Sequence, residues 1–339
     1  MNDKNGGLEQ APEHAELAEK IQDKTREIRE LREGERGAED KWELRDYRRR
    51  KKAAKLELFR LKGALRAAEE GRSGGGPVTG ALPDFLVIGV GKGGTTFLYH
   101  LLTQHPLVEP AASKEIHFFD NRFGQGVEWY RHCFPAPRRK DGRTTVTGEA
   151  TPFMFWPLVP GRVAEVVPRA RLIALLRNPV DRAYSSYQQM VRRKMTSLTF
   201  EEVVEKEKTL LLKASQLDGH RWKEYFAAAD DAASSRFTGN CISKGLYAEQ
   251  LRRWSEHFDR EQMLILKSED FFARPQEVLG QVFRFLDLPE WEPDPSVFER
   301  KRNSRRYEKM DPQTRRSLEE YFAPHNRRLY DFLGRDLGW

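Results

Sequence analysis

The chain has 339 residues, 38% of them hydrophobic, so it is long enough to bury a substantial core. No apolar run approaches the roughly 20 residues of a membrane-spanning helix, and the start of the chain has no apolar signal-peptide core. Because only Cys133 and Cys241 are present, no disulfide framework is indicated, and the sequence predicts a cytoplasmic protein.

The net charge of +7 is concentrated near the N-terminus. Residues 41–72 hold 12 Lys and Arg against 5 Asp and Glu, a difference of +7, so the rest of the chain is balanced. This stretch ends a segment, residues 1–72, that is rich in Glu, Lys, Arg, Ala and Leu. Four apolar residues recur in it at helical spacing: Leu17, Ile21, Ile28 and Leu31.

We therefore predict a helical arm over residues 1–72. Gly34 and Gly37 interrupt the pattern, which favours two helices, arranged as a hairpin or as a short coiled coil. The predicted role is self-association into a homo-oligomer or docking to a partner protein. Nucleic acid is a less favoured partner, because no aromatic platform accompanies the basic "RRRKK" at 48–52.

A Gly-rich linker, residues 73–83, separates this arm from a domain over residues 84–339. Buried-strand runs in that domain alternate with helical stretches. Such alternation predicts an α/β fold with a central, mainly parallel sheet covered on both faces. The predicted strands are residues 85–90, 144–149, 171–176 and 262–267.

The first strand runs into the Gly-rich turn of "FLVIGVGKGGTTFLYHLL", residues 85–102, which is followed by a helical stretch. Gly89, Gly91 and Gly94 match the G-x-G-x-x-G of a dinucleotide site, which needs an acidic residue about 20 positions later; Glu109 lies there. A Walker P-loop has its lysine after the last glycine, whereas Lys92 precedes it.

A third interpretation is a phosphate cradle, and a fourth is a turn that only packs strand against helix. In the cradle, backbone amides at the start of the helix point at an anion and Lys92 adds a full charge. The residues supplying those amides are Gly93, Gly94, Thr95 and Thr96.

A second anion site is predicted in "RLIALLRNPVDRAYSSYQQM", residues 171–190. Arg177 follows a buried strand, at the edge where open α/β sheets bind ligands, and Ser185 lies in the first turns of the next helix. Asp181 is positioned to cap that helix. The alternative is a purely structural ion pair between Arg177 and Asp181.

Five motifs in order carry a resemblance to a known family. They are "VIGVGKGGTTFLYHLLTQHP", "KEIHFFD" (114–120), "GEATP" (148–152), "RNPVDRAYSSYQ" (177–188) and "KGLYAEQLRRW" (244–254). Together they resemble the sulfotransferases that use 3′-phosphoadenosine 5′-phosphosulfate (PAPS), above all the heparan sulfate N- and 3-O-sulfotransferase branch and its bacterial relatives.

The resemblance implies a P-loop-like three-layer α/β fold and PAPS as the donor, which leaves as adenosine 3′,5′-bisphosphate. Lys92 and the Gly93 to Thr96 turn would hold the 5′-phosphosulfate, with Lys92 also offsetting charge on the leaving phosphate. Arg177 and Ser185 would hold the 3′-phosphate, and Arg305, in the basic stretch 300–311, would close over the cofactor. The implied acceptor is a hydroxyl or amine of a small molecule or glycan.

The segment "KEIHFFD" offers two candidates for the general base, Glu115 and His117. If the segment is extended, positions two apart face the same way. The pKa of an ordinary histidine favours His117, but the resembling enzymes use the glutamate. We therefore predict Glu115 as the base, with His117 orienting the acceptor.

Other residues of the "GEATP" region are candidates for an acceptor cleft, although the aromatic ones fit a core equally well. These candidates are Glu149, Thr151, Phe153, Phe155 and Trp156. Two departures from the heparan-type pattern, Ala150 and Asn303, stand where a lysine is usual, and the disulfide hairpin of the secreted-pathway members is missing.

No His, Cys and carboxylate residues occur at metal-ligand spacing, so no metal is predicted. The rival functions are a kinase, an NAD-dependent enzyme, or a non-catalytic scaffold.

Overall fold

The computed structural model describes residues 10–39, 41–69, 80–215, 240–299 and 308–339. Its helices are α1 Gln10–Gly37, α2 Lys41–Glu69, α3 Thr95–Leu102, α4 Phe118–Asn121, α5 Gly126–Arg131, α6 Val159–Val166, α7 Pro179–Arg192, α8 Phe200–Ser215, α9 Tyr247–Ser255, α10 Ser268–Ala273, α11 Pro275–Phe285, α12 Ser296–Glu299 and α13 Pro312–Leu333. Its strands are β1 Phe85–Gly89, β2 Val108–Pro110, β3 Arg139–Lys140, β4 Arg143–Thr144, β5 Val146–Ala150, β6 Arg171–Leu176 and β7 Met263–Lys267.

A central sheet of five strands, in the order β2-β5-β1-β6-β7, confirms the predicted α/β fold. β6 pairs in parallel with both β1 and β7, and β2 pairs in parallel with β5. All four predicted strand runs form strands of this sheet. β3 and β4 make a separate antiparallel pair that the apolar pattern did not indicate, since all its residues are exposed.

The chain divides into two compact units. The first contains residues 1–83, 107–116 and 123–149, and the second contains residues 84–106, 117–122 and 150–339. Residues 73–79, which make up most of the predicted 73–83 linker, lie outside the described ranges.

In the first unit, α1 and α2 form a helical hairpin, as one of the two predicted arrangements requires. Ile28 and Leu31 of α1 are buried with Ala54 of α2, so part of the apolar stripe is satisfied within the hairpin itself. Ion pairs between the helices join Lys24 to Glu57 and Lys51 to Glu35.

Gly34 does not end α1, contrary to the sequence-based expectation. It continues the helix and lets Tyr47 of α2 approach closely, because a Cβ built at Gly34 would lie 2.3 Å from the Tyr47 ring. Gly63 lies within α2 with nothing inside 4 Å of such a Cβ.

We expect alanine at these two glycines to have opposite effects. Gly34→Ala should destabilise the hairpin by about 1 kcal/mol or more, because the new methyl displaces the Tyr47 ring. Gly63→Ala should stabilise it by roughly 0.5–1 kcal/mol, since alanine is the better helix former. Thermal unfolding followed by circular dichroism at the helix band measures both. Equal shifts in the two variants would contradict the close approach at Gly34.

In the second unit, the central strands are almost fully buried, and their carboxyl ends lead into the candidate site residues. β1 is buried at every residue, and β6 at every residue except Arg171. A further core lies between α7, α8 and α13, where Val180, Phe200 and Phe322 are buried together. This packing fixes α7, which carries Ser185.

Candidate active site

The turn after β1 is held in a tight conformation. The Val90 amide donates to the Leu175 carbonyl at 3.0 Å, and the buried Ser268 hydroxyl donates to the Gly93 carbonyl at 2.6 Å. A Cβ at Gly93 would lie 2.4 Å from the Leu175 carbonyl oxygen, so only glycine fits there. Gly94 takes the left-handed conformation, with φ of 103°, as the residue before α3.

Thr95 and Thr96 therefore begin α3, and their amides belong to the first turn, where a helix has no carbonyl of its own to accept them. Such amides, together with the positive end of the helix, suit an anion. The Gly93 amide, which the sequence also assigned to the anion, instead donates to the Val90 carbonyl at 2.9 Å, so this predicted ligand is engaged within the turn itself.

Lys92 sits in this turn among arginines. Its pKa is lowered from the ordinary lysine value, first by burial and then by the charges of Arg192, Arg177, Arg193 and Arg182. These four charges are all positive. Like charges held together in this way repel, and a bound polyanion relieves the repulsion. The residues present thus fit a group with several negative charges.

Arg177 is brought directly to the turn, because its guanidinium Nη1 donates to the Lys92 carbonyl at 3.1 Å. The Arg177 carbonyl accepts from the Tyr247 hydroxyl at 2.7 Å, which fixes its backbone. Ser185, on α7, is only 7% exposed. Lys92 and Arg177 therefore belong to one site, as the phosphate interpretation requires.

The structure corrects the role given to Asp181. Asn178 caps α7, its side chain accepting from the Val180 and Asp181 amides at 3.0 and 3.2 Å. Asp181 instead pairs with Arg315 of α13, so the structural ion pair considered for Arg177 is not formed. Asn178 lies immediately before Pro179, and asparagine followed by proline is a sequence pattern typical of a helix start, so Asn178 could have been predicted as the cap.

His117 forms a pair with an aspartate that the sequence analysis did not select. Its Nδ1 lies 2.8 Å from Oδ2 of Asp120, whose side chain is 4% exposed. A carboxylate only accepts, so Nδ1 carries the proton and Nε2 is left as the acceptor of a neutral ring. His117 and Asp120 are the first and last residues of "HFFD", and this i,i+3 spacing is the sequence signal from which the pair could have been predicted.

The segment "KEIHFFD" is not extended, so the condition for placing Glu115 and His117 on one face is not met. His117 has a left-handed backbone, with φ of 61°, and α4 begins at the next residue. The alternation of side chains that would have placed Glu115 and His117 on one face therefore does not hold. By their contacts, Glu115 belongs to the first unit and His117 to the second.

Glu115 itself has a partly exposed side chain, with 35% of it accessible, and Oε1 accepts from Lys114 Nζ at 3.2 Å. Arg305 lies outside the described residues, as does most of the basic stretch 300–311.

Four of the five proposed acceptor-cleft residues are buried, namely Glu149, Thr151, Phe153 and Phe155. Glu149 is 1% exposed and accepts from the Tyr130 hydroxyl at 2.6 Å. Phe153 is fully buried and stacks on Trp254, with ring centroids 6.1 Å apart. Thr151 is also fully buried, and its hydroxyl accepts from the His117 amide at 3.4 Å.

Phe155 and Trp156 instead surround a lysine that sequence reasoning did not select. Lys244 Nζ lies 5.4 Å from the centroid of each ring. Burial, and after it the charge of Arg182, lowers the pKa of Lys244, while Glu207 and Asp120 act in the opposite direction. Lys244 therefore lies against the aromatic pair, which contacts its ammonium through the ring faces.

The acidic residue required by a dinucleotide site is engaged elsewhere. Glu109 pairs with Arg138 in the first unit. This pairing removes the residue that the dinucleotide interpretation needs for ribose.

The model of the sulfotransferase domain family matches residues 82–328. The chain belongs to the sulfotransferase family. It is accordingly an enzyme that transfers a sulfonate group, and family membership implies a sulfonate donor.

Several relatives support this assignment. The bifunctional heparan sulfate N-deacetylase/N-sulfotransferase 1 of Caenorhabditis elegans is 30% identical over 75% of this chain and 30% of its own length. Human heparan sulfate glucosamine 3-O-sulfotransferase 3B1 is 31% identical over 76% of this chain and 65% of its own. The chain thus spans less than two thirds of either relative.

A solved structure is also similar. The sulfotransferase from Alicyclobacillus acidocaldarius is 29% identical, with a TM-score of 0.56, over 76% of this chain and 98% of that one. This likeness confirms the P-loop-like fold expected from the motifs.

The predicted cytoplasmic location is contradicted by the relatives. A membrane-associated sulfotransferase, kil1 of Dictyostelium discoideum, is 29% identical over 78% of this chain and 68% of its own length, and other relatives are heparan sulfate enzymes. Two buried cysteines are a weak indicator of compartment, because they reflect packing as readily as redox conditions. In the described part of the chain, no helix is both long enough and apolar enough to span a membrane.

Proposed function

We propose that this sulfotransferase moves the sulfonate of PAPS to a hydroxyl or amine of a carbohydrate. The observation that carries the choice of donor is the hydrogen bond from the Arg177 guanidinium to the Lys92 carbonyl at 3.1 Å, which brings a second cation to the turn before α3. PAPS carries phosphates at both ends of its ribose, so it needs two anion sites close together. The carbohydrate acceptor is suggested by the heparan sulfate relatives.

Two groups of residues are proposed to bind the two anionic ends of the donor. Lys92 and the amides of Gly94, Thr95 and Thr96 are proposed to hold the 5′-phosphosulfate, whereas the Gly93 amide donates to the Val90 carbonyl at 2.9 Å. Arg177 with Ser185 is proposed to hold the 3′-phosphate. Arg305 is proposed to close over the cofactor. When bound, PAPS supplies an activated sulfonate on a good leaving group, and Lys92 offsets the charge that grows on that group.

On the acceptor side, Glu115 is proposed to take the proton of the attacking hydroxyl or amine. The His117–Asp120 pair is proposed to orient the acceptor, because Nε2 of a neutral, carboxylate-held imidazole accepts a hydrogen bond. The helical hairpin remains a proposed oligomerisation or docking element.

Binding of the product nucleotide tests the proposed donor. Adenosine 3′,5′-bisphosphate at about 100 times its dissociation constant should stabilise the folded protein by roughly 2.7 kcal/mol. ATP and NAD at the same concentration should do much less, since neither has a 3′-phosphate for Arg177 and Ser185. Differential scanning fluorimetry compares the three nucleotides. A larger shift with ATP or NAD would favour the kinase or NAD-dependent alternative.

A matched pair of variants assigns the 3′-phosphate site. Ser185→Ala should reduce the shift with the 3′,5′-bisphosphate and leave the smaller shift with adenosine 5′-phosphate nearly unchanged. Ser255→Ala is the control, because the Ser255 hydroxyl donates within its own helix to the Leu251 carbonyl. An equal loss of the melting-temperature shift with both nucleotides would show that Ser185 does not bind the 3′-phosphate.

A further inference from the structure

The helical hairpin touches the segment that carries Glu115. Lys52 of α2 donates from Nζ to the main-chain carbonyl of Glu115, and the same Nζ lies 3.4 Å from the carbonyl oxygen of Ile116. Lys52 and Glu115 both belong to the first unit. The two residues are 63 positions apart, so this is a tertiary contact and not a local one.

The segment around Glu115 has no regular secondary structure. Residues 111–117 form neither helix nor strand, so their carbonyls and amides have no regular ladder to bind. The Ala112 amide donates to the Cys133 carbonyl at 2.8 Å, which fixes the start of the segment. Lys52 binds the segment three and four residues further along the chain, at the carbonyls of Glu115, the proposed base, and of Ile116.

Lys52 is itself held in place by the hairpin. The adjacent Lys51 pairs with Glu35 of α1, and Ala54 is buried against that helix, so the face of α2 that carries Lys52 has a defined orientation. An ammonium has three donors and readily serves two neighbouring carbonyls. The hairpin therefore presents a fixed cation to the backbone of Glu115.

We propose that Lys52 is a positioning residue for catalysis, through which the N-terminal hairpin sets the backbone of Glu115. This inference rests on the proposed role of Glu115 as the base. A general base works only within hydrogen-bond reach of the proton it removes, and displacement of about 1 Å can cost 100-fold in rate. The hairpin thereby becomes part of the catalytic apparatus, whatever its role in association.

The test uses the full-length chain with Lys52→Met, which keeps the length of the side chain and removes the donors. Lys62→Met is the control, because Lys62 is exposed on the same helix. Lys52→Arg is the rescue variant, since a guanidinium can still donate to both carbonyls. Transfer from labelled PAPS to N-unsubstituted and N-sulfated heparan oligosaccharides gives kcat and KM, and hydrogen–deuterium exchange reports on residues 112–117.

In Lys52→Met we expect kcat to fall about 10- to 100-fold with the KM for PAPS and acceptor unchanged, and exchange in 112–117 to quicken. Lys62→Met should match the wild type, and Lys52→Arg should recover most of kcat. Unchanged exchange, or an unchanged kcat despite faster exchange, would overturn the positioning role. If the wild type transfers nothing to either oligosaccharide while Lys52→Met still exchanges faster, the carbohydrate acceptor fails and the contact itself is upheld.

Discussion

Glu115→Gln is expected to lower kcat by about 10²- to 10⁴-fold, the usual contribution of a general base. Glutamine keeps the shape of the side chain and its hydrogen bond from Lys114, but it cannot take the acceptor proton. Binding of adenosine 3′,5′-bisphosphate should stay within about twofold of the wild type, because the anion-binding residues are untouched. Transfer from labelled PAPS and calorimetric binding of the bisphosphate measure the two quantities.

His117→Ala is the comparison for this variant. Loss of an orienting group should cost far less in kcat than loss of the base and should raise the KM for the acceptor. Asp120→Asn should behave like a weaker form of His117→Ala, since the amide can no longer hold Nδ1–H as a carboxylate does. An inactive His117→Ala together with a nearly active Glu115→Gln would reverse the two roles.

Lys92→Met is expected to lower kcat by about 10²- to 10³-fold, because the charge that stabilises the leaving phosphate is removed. Bisphosphate binding should weaken as well. Lys140→Met is the control, since Lys140 is an exposed residue of β3. A Lys92→Met enzyme with near-normal kcat would show that the surrounding arginines alone serve the leaving group.

The same substitution should raise the melting temperature of the ligand-free protein at neutral pH. Burial and the four arginines lower the pKa of Lys92, so the folded state binds this proton more weakly than the unfolded chain does. The charged lysine therefore opposes folding in full below its lowered pKa, and this penalty shrinks as the pH rises from that value to the ordinary pKa of the unfolded chain. Methionine removes the penalty, so a drop in melting temperature would argue against the repulsion.

Binding of the bisphosphate should also take up protons at alkaline pH. An anion beside Lys92 raises its pKa again, so the bound state holds a proton that the free state has partly lost. Calorimetry in two buffers of different ionisation enthalpy detects this uptake, and Lys92→Met should lack it.

The strands and the anion-binding turn could be predicted from local sequence. Apolar runs of four to six residues between polar stretches mark the buried strands β1, β6 and β7, whereas β5 has the mixed sequence VTGEA. β2 could not be recognised in this way, because it is three residues long and ends in Pro110. Gly34 was taken as a helix break, although its role is to admit the Tyr47 ring, which lies on another helix.

The candidate site was predictable only in part. Lys92 and Arg177 lie just after β1 and β6, and Ser185 lies within α7, the helix that follows β6. Their places therefore follow from the order of strands and helices. The partners of Asp120, Glu109 and Asp181 depend on side chains that approach through tertiary packing. Glu149 and Phe153 appear as site residues by motif and are core residues by burial.

The sequence by itself determined the family and the fold class, because five motifs in order and the alternation of strands and helices carry them, and it predicted the residues of the phosphate cradle. Only the tertiary structure decided that Arg177 reaches the Lys92 carbonyl, that Asp120 holds His117 and that Lys52 reaches the backbone of Glu115. Charge repulsion and hydrogen bonding act over a few ångströms of space. Residues 63 positions apart, such as Lys52 and Glu115, meet only when the chain has folded.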